Sequence, residues 1–222
     1  MDVANGIYYP KNSGKCKVYE CLKKGKVWER TMVEKFKDIV KQGDTVIDCG
    51  ANIGLHTFEL SKLVGDDGDV FAFEAIPIIY ECLKTTLREK KLLNITASNR
   101  GLYSEDDLDL VFKSDLSGRS GMYRKGKTFK HKFTVKSLTL DTYFKDYHKP
   151  IKFIKIDVEG AEFQVLDGAI DLINKHKPKI IVELFYNTPK RILQLNNWLE
   201  KMNYTVAEKV SAGDMLLVPE EN

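Results

Sequence analysis

The sequence lacks long apolar runs and has little imbalance of charge. No apolar stretch approaches the ~20 residues that a membrane-spanning helix needs, and no charged-then-apolar leader opens the chain. The formal net charge of +3 over 222 residues is too small by itself to indicate a nucleic-acid partner. With 43% hydrophobic and 30% charged residues, the composition indicates one folded domain and excludes a disordered chain.

Cysteine is scarce and shows no metal-binding pattern. Cys16, Cys21, Cys49 and Cys82 have neither CxxC spacing nor the spacing of a zinc site. We therefore expect reduced thiols and a cytoplasmic location. The chain also lacks internal repeats, low-complexity segments and linkers. We expect one domain over residues 28–222, preceded at 1–27 by an N-terminal extension or a short hairpin.

The G-x-G-x-x-G fingerprint of dinucleotide-binding proteins is absent as well. Residues 45–54 (T-V-I-D-C-G-A-N-I-G) instead predict a buried strand ending at Asp48, a turn with Gly50 and Gly54, and then a helix. Free N–H groups at the start of that helix can meet a polar or anionic ligand group. Asn52 stands where a glycine would let the backbone approach a pyrophosphate. The turn therefore favours an adenosine ligand that lacks a pyrophosphate.

Strands and helices alternate along most of the chain. Apolar spacing predicts helices that begin near residues 28, 53 and 77, a single helix over 160–173, and a helix capped by Thr188 and Pro189. The predicted strands are 15–22, 45–48, 70–74, 95–99, 108–112, 132–135, 151–157, 179–184, 204–207 and 215–218. Such alternation with nearly continuous apolar strands predicts a parallel sheet with helices on both faces.

Four of the predicted strands end in a carboxylate: Asp48, Glu74, Asp157 and Glu183. Ligands of open α/β sheets bind outside the carboxyl ends of the strands. Acids are common at solvated strand ends without any function, but four at one edge favour a site. Glu74 lies one βαβ step after the glycine turn, where a carboxylate can accept hydrogen bonds from both ribose hydroxyls. That position suits NAD and S-adenosylmethionine alike.

Three motifs in this order resemble one known family. Residues 48–54 (D-C-G-A-N-I-G), 73–74 (F-E) and 155–162 (K-I-D-V-E-G-A-E) resemble the FkbM-type S-adenosylmethionine-dependent methyltransferases, and the last run is the most specific. Two departures are Cys49, where valine is commoner, and Ala75, where proline commonly follows the acid. Neither removes a side chain that the ligand would need.

The resemblance implies a fold, a cofactor and a reaction. The fold is α/β, a class I methyltransferase (Rossmann-like) doubly wound, mostly parallel seven-stranded sheet with the last strand antiparallel. The cofactor is S-adenosyl-L-methionine. Members commonly methylate hydroxyls of sugars or natural products, so we expect O-methylation of a sugar or glycan acceptor. RNA methylation, or a non-catalytic adenosine- or glycan-binding module of a larger glycan-modifying polypeptide, remain the alternatives.

The resemblance also assigns roles to residues. Asp157 is the first candidate for the general base or acceptor-orienting group, and it would lie beside the methyl group of the cofactor. Glu183 is the second candidate, and Glu159 would bind an acceptor hydroxyl. The residues expected to hold the cofactor are Asp48, Gly50, Ala51, Asn52 and Gly54 for its amino-acid part, Glu29 for its amino group, Glu74 for the ribose, and Asn99 and Gly101 near the adenine.

Several side chains near these motifs have a plain structural interpretation. Lys155 is expected to pair with a neighbouring acid, and Glu162 to favour the dipole of a helix's first turn. Glu29 has the alternative of being a solvated first-turn acid. His56 is either a base facing the acceptor or, more commonly for such a position, a surface histidine.

Two further features touch on ligands. Asp157 and Glu183 could together hold a divalent cation, but two acids are few ligands, and we expect metal independence. A basic loop with interleaved aromatics could grip RNA or act as an acceptor lid, although a solvated hairpin is favoured. Its basic residues are Arg119, Arg124, Lys125, Lys127, Lys130, His131 and Lys132. Nucleic acid is therefore not the favoured acceptor.

Overall fold

The computed structural model describes residues 1–11, 16–114, 116, 131–184 and 188–220. The helices and strands in this part of the chain are, from the N-terminus onward, β1 (Asp2–Ala4), β2 (Ile7–Tyr9), α1 (Lys17–Lys23), α2 (Arg30–Ile39), β3 (Thr45–Cys49), α3 (Leu55–Val64), β4 (Asp69–Phe73), α4 (Pro77–Lys90), β5 (Ile95–Ser98), β6 (Gly101–Leu102), β7 (Asp109–Ser114), β8 (His131–Leu138), α5 (Leu140–Tyr143), β9 (Ile151–Ile156), α6 (Glu162–Asp167), α7 (Ile170–His176), β10 (Lys179–Glu183), α8 (Pro189–Met202), β11 (Tyr204–Lys209) and β12 (Asp214–Pro219).

A seven-stranded sheet organises the molecule, in the order β11-β12-β10-β9-β3-β4-β5. The five strands from β10 to β5 are parallel, whereas β12, the last strand of the chain, runs antiparallel to both neighbours. The order moves outward from β3 first in one direction and then in the other, so β3 and β9 flank the point where it reverses. The predicted doubly wound, mostly parallel class I sheet is confirmed.

Alternation along the strands divides the core between the two faces of the sheet. On β9, Ile154 and Ile156 pack with α5, α6, α7 and α8, whereas Phe153 faces α2 and α3. Successive strand side chains point to opposite faces, so Lys155 and Asp157 lie on the same face as Phe153. The polar end of β9 therefore emerges beside α2 and α3.

A smaller unit packs against the glycine turn and the start of α4. The strands β6, β8 and β7 form a separate three-stranded sheet, and β1 pairs with β2 in an antiparallel hairpin. Side chains of this hairpin, of α1 and of β7 share a core with Ile53 of the glycine turn and with Ile76 and Ile79 at the start of α4. The domain boundary at residue 28 stays a prediction.

Two expectations about local structure are wrong. The strand over 15–22 is instead helix α1, because Tyr19 and Leu22 are buried together on one helical face. The single helix over 160–173 is divided into α6 and α7. At Gly168 a Cβ would lie 2.1 Å from the carbonyl oxygen of Tyr103, and the Asp141 carboxylate accepts hydrogen bonds from the first N–H groups of α7. Both outcomes depend on tertiary contacts that a local pattern does not contain.

Other expectations agree with the described residues. Thr188 caps α8, where its hydroxyl accepts a hydrogen bond from the N–H of Arg191. The four cysteines are free thiols, three of them buried. None of the helices in the described ranges has the length and apolar content required to cross a membrane.

Gly50 gives the first testable prediction. Its φ is +85°, and a Cβ there would lie 1.8 Å from the carbonyl oxygen of Asp157. We expect Gly50→Ala to lower the free energy of unfolding by about 3 kcal/mol or more, because backbone strain and overpacking add. Gly43 is the matched control, since its φ is +81° and a Cβ at that position would have no atom within 4 Å. Chemical denaturation that gives equal losses for Gly50→Ala and Gly43→Ala would contradict the close approach.

Candidate active site

The glycine turn joins the ends of three strands. The N–H groups of Gly50 and Ala51 both donate to the carbonyl oxygen of Phe73 at the end of β4, each at 2.9 Å. On the other side, the N–H of Asp157 donates to the carbonyl oxygen of Cys49 at 3.0 Å. The turn itself is tightened by Asn52, which has a left-handed backbone and accepts the N–H of Ile53 on its side-chain oxygen. The predicted cradle is therefore a rigid junction between β4 and β9.

The Glu74 carboxylate is buried against this turn. One oxygen accepts the N–H of Asn52 at 2.8 Å, and the other accepts the N–H of Ile76 at 2.7 Å. Burial raises the pKa of Glu74 to about 7, although both N–H groups act in the opposite direction. Each carboxylate oxygen keeps one lone-pair direction for a further donor such as a ribose hydroxyl.

Asn99 and Gly101, expected near an adenine, have contacts within the protein. The side-chain amide of Asn99 donates to the carbonyl oxygens of Glu74 and Ala75, at 2.8 and 3.0 Å. Gly101 begins β6, and a Cβ there would lie 2.7 Å from Leu110. These contacts within the protein are enough to account for an asparagine at 99 and a glycine at 101. A role of either residue in binding an adenine stays a prediction.

Lys155 is buried between the carboxylates of two neighbouring strands. Its Nζ lies 3.2 Å from Asp157 Oδ2 and 3.6 Å from Asp48 Oδ1. Burial by itself lowers the pKa of Lys155, but Asp157 and Asp48 together raise it above the ordinary value, so the side chain is charged. The expected pairing of Lys155 with a neighbouring acid is confirmed.

Asp48 is fully buried, and its Oδ1, which lies in the ion pair with Lys155, has no hydrogen-bond partner among the described residues. Its second carboxylate oxygen accepts a hydrogen bond from the hydroxyl of Thr57 on α3, at 2.6 Å. Asp48 thus ties β3 to α3 and to Lys155 of β9. A direct contact with the cofactor's amino-acid part stays a prediction, since the structure assigns this carboxylate a place in the buried ion pair.

Asp157 and Glu183, the two principal catalytic candidates, share a hydrogen bond across the ends of β9 and β10. Burial raises the pKa of both groups, but at Asp157 the charge of Lys155 and the bond from Glu183 outweigh it and lower the pKa below the usual range. At Glu183 the hydrogen bond and the negative charge of Asp157 raise the pKa further. A single proton is therefore held on Glu183, while Asp157 is ionised and 30% exposed.

The sequence analysis missed one further acid at this edge of the sheet. Asp214 of β12 stands opposite Glu183 in the antiparallel register, and burial together with the charge of Asp157 raises its pKa. No strand-end signal marks it, because Asp214 is at the start of its strand. Only the reversed direction of β12 brings it to the carboxyl edge.

Glu29 and His56 meet beside these acids. Glu29 precedes α2, and its Oε2 lies 3.4 Å from Nε2 of His56. The interpretation of His56 as a surface histidine is wrong, because its side chain is buried and packs edge-on against Phe36 at 5.4 Å. The turn after residue 54 directs position 56 toward α2, which places the imidazole inside.

The other candidate acids differ in their surroundings. Glu159 lies in the turn between β9 and α6, has a left-handed backbone with φ +56°, and is partly exposed. Glu162 is in the first turn of α6 as expected, but it is buried and also accepts the N–H of Gly160 at 2.7 Å and pairs with Arg191 of α8 at 2.6 Å. Glu162 therefore connects α6 to α8.

The described residues bear on two further expectations, the metal site and the basic loop, but only in part. Across the described ranges, no group of three or more His, Cys, Asp or Glu side chains is arranged to hold a metal ion. Metal independence stays a prediction. In the basic loop, His131 and Lys132 are exposed at the start of β8. The other expected members, Arg119, Arg124, Lys125, Lys127 and Lys130, lie outside the described residues.

Comparisons with known proteins agree with this arrangement. A family model described as the Methyltransferase FkbM domain matches residues 48–206. "Methyltransferase 1" of Beauveria bassiana (strain ARSEF 2860) is 24% identical over 180 residues, which cover 71% of this chain and 72% of that protein. "Methyltransferase sdnD" of Sordaria araneosa is 28% identical over 154 residues, covering 55% of this chain and 59% of that protein.

A solved structure has the same fold. The crystal structure of the methyltransferase FkbM from Methylobacillus flagellatus KT superposes with a TM-score of 0.56 at 19% identity and covers 83% of this chain. The matched part is 49% of that chain, so this protein spans about half the length of its solved relative. Because the family model covers more than half of the sequence, this chain belongs to the S-adenosylmethionine-dependent FkbM methyltransferase family, as the motifs at 48–54 and 155–162 predicted.

Proposed function

We propose that this protein transfers the methyl group of S-adenosylmethionine to a hydroxyl of a sugar or glycan. The observation that carries the proposal is the ionised carboxylate of Asp157, which lies beside the glycine turn and is held between the Lys155 ammonium and the Glu183 carboxyl. A hydroxyl acceptor needs a base within hydrogen-bond reach of its proton, and Asp157 is ionised and partly exposed.

The turn and Glu74 have the features that the cofactor needs. When bound, S-adenosylmethionine supplies an electrophilic methyl group on a sulfonium. Glu74 would accept the ribose hydroxyls through the lone pairs that Asn52 and Ile76 leave free. The backbone at Gly50 carries no Cβ, so it permits close approach beside Asp157. In this arrangement the reacting centre would lie over the carboxyl ends of β3 and β9.

The residues of β9 and β10 would then manage the acceptor proton. Asp157 would accept a hydrogen bond from the acceptor hydroxyl and orient its oxygen for in-line attack. Loss of the methyl group would leave the cofactor as a neutral thioether, and the acceptor O–H, made strongly acidic by its new bond to carbon, would give its proton to Asp157. Lys155 and Glu183 fix the Asp157 carboxylate in position, and Glu159, in the neighbouring turn, would contact a second acceptor hydroxyl.

The charge of the site favours a neutral polyhydroxyl acceptor over RNA. Glu29, Asp157, Glu183 and Asp214 converge there, with Lys155 as the cation among them. A phosphate would meet the negative charge of Asp157 and would find Lys155 already paired with Asp48 and Asp157, whereas the neighbouring carboxyl oxygens can accept hydrogen bonds from vicinal hydroxyls. The cytoplasmic location and a place in a larger glycan-modifying polypeptide belong to the same proposal.

An acceptor screen tests the reaction itself. With labelled S-adenosylmethionine and a chelator present, we expect label transfer to deoxysugars, nucleotide sugars or glycans, and none to RNA. Steep salt dependence with RNA as the methylated product would contradict the acceptor class. Activity that is lost on chelation and restored by added metal would overturn the metal independence. Cofactor binding without transfer to any acceptor would favour the non-catalytic alternative.

Glu74 tests the cofactor site. We expect Glu74→Ala to weaken S-adenosylmethionine binding by about 100-fold, because two hydrogen bonds from the ribose are lost together with the acceptor for the N–H groups of Asn52 and Ile76. Glu81→Ala removes an exposed carboxylate from α4, where Glu81 pairs with Lys84 at 3.9 Å, and serves as the matched control. Calorimetry that finds wild-type affinity in Glu74→Ala would sink this assignment.

Asp157 and Glu183 have distinguishable roles in single-turnover kinetics at saturating cofactor. Asp157→Asn removes the base, and we expect the rate to fall by about 10²–10⁴-fold. Glu183→Gln preserves a neutral donor toward Asp157, as the protonated carboxyl does, and we expect it to stay within about tenfold of the wild type. Equal losses in the two variants would show that Glu183 must be ionised, contrary to the shared proton. The unfolding midpoint of each variant controls for the fold.

A further inference from the structure

A buried nitrogen at the edge of the glycine turn has an unusual environment. His56 Nε2 is enclosed and has no hydrogen-bond partner among the residues that the structure describes. The imidazole ring packs edge-on against Phe36 of α2, which fixes its plane. The nearest acidic oxygen is Glu29 Oε2 at 3.4 Å. A buried polar atom of this kind is costly unless a partner reaches it, which points to a ligand.

Glu29 is placed to share that ligand. Its backbone is left-handed, with φ +44°, and it occupies the position immediately before the first residue of α2. The side chain is 44% exposed, so one side faces His56 while the other is open. The charged groups that face this pair are Asp157 and Lys155 of β9 and Asp214 of β12. The two acids make the position favourable for a cation, and Lys155 is already engaged by Asp48 and Asp157.

The protonation states define what the pair can bind. Burial, aided by the positive charge of Lys155, lowers the pKa of His56 to about 3, so its imidazole is neutral. Burial, and next the charge of Asp157, raises the pKa of Glu29 to about 7. A neutral imidazole nitrogen and a carboxylate oxygen are two acceptors, and a primary ammonium offers three N–H donors.

We propose that Glu29 Oε2 and His56 Nε2 together bind the primary ammonium at the amino-acid end of the cofactor. The inference rests on the proposed function, because the glycine turn that leads into α3 is where that end of the cofactor is expected. It adds to the expected role of Glu29 a second acceptor, His56, that no motif marks. It also makes cofactor binding release a proton.

The sign of this linkage follows from Glu29. In the free protein its pKa is raised, so below about pH 7 the carboxyl is mostly protonated. A bound ammonium favours the ionised form and lowers that pKa, and the proton leaves Glu29 for solvent. Affinity should therefore rise with pH up to about 7 and fall again above about pH 8, where the ligand's own amino group loses its proton. The ligand's own amino group, with an ordinary pKa near about 7.7–8.0, is still protonated at about pH 6.5.

The experiment compares two ligands that differ in the amino-acid end. S-adenosylhomocysteine carries the ammonium, whereas 5′-methylthioadenosine has the same adenosine and thioether without it. We expect His56→Phe to weaken binding of S-adenosylhomocysteine by about tenfold and to leave that of 5′-methylthioadenosine unchanged. Glu29→Gln should act in the same selective way. His148→Asn, at an exposed histidine, is the matched control and should alter neither affinity.

Calorimetry in two buffers of different ionisation enthalpy measures the proton. The wild type should release most of a proton on binding S-adenosylhomocysteine at about pH 6.5, and Glu29→Gln should release none at that pH. Unchanged affinity in His56→Phe, parallel weakening of both ligands, or the absence of proton release in the wild type would each overturn the proposal. A wild-type protein that binds neither ligand would instead refute the proposed function, and the ammonium site with it.

Discussion

The ion pair that Lys155 makes with Asp48 and Asp157 joins the two strands on which the site depends. Two carboxylates at the ends of adjacent parallel strands would repel each other in a buried setting, and Lys155 is the cation between them. Removing one member of a buried ion pair costs about 3–5 kcal/mol, because an uncompensated charge remains. The ion pair therefore stabilises the junction between β3 and β9 in addition to the hydrogen bonds of the sheet.

The ion pair of Lys155 with Asp157 also affects the pKa values of the other acids at the carboxyl edge of the sheet. Asp157 keeps its charge because Lys155 is 3.2 Å away. Burial, together with the negative charge of Asp157, raises the pKa of Glu183, Asp214 and Glu29. Glu29, with a pKa of about 7, is the acid among them whose proton a ligand ammonium would displace. A sulfonium cofactor with an ammonium group brings positive charge to this edge, so cofactor binding and proton release belong to one electrostatic balance.

Local patterns in the sequence predicted correctly, whereas features that depend on contacts between distant segments were missed. The glycine turn, the acids that end β3, β4, β9 and β10, and the Thr188 cap are local patterns, and the structure has them where they were expected. The break between α6 and α7 depends on Gly168 meeting Tyr103, and Asp214 reaches the edge through an antiparallel register. His56 lies two residues after the glycine turn and is buried because α2 covers it. Contacts between distant segments decide these cases, and no period or spacing records them.

Several residues of the motifs are occupied by the fold itself. Asp48 is bound by Thr57 and Lys155, the N–H donors of Asn99 are used by two backbone carbonyls, and Gly50 is required by the carbonyl of Asp157. Substituting any of them would disturb the scaffold and the ligand together, so loss of binding there would not identify a contact.

Spare hydrogen-bonding capacity identifies ligand-binding atoms better than position in a motif does. Glu74 has a free lone pair on each oxygen, Asp157 has an exposed carboxylate, and His56 has a buried nitrogen that no described residue satisfies. These atoms surround the glycine turn on the sides of β4, β9 and α3. On the proposed function, Glu74 would serve the ribose, Asp157 the reacting centre and His56 the ammonium of one ligand.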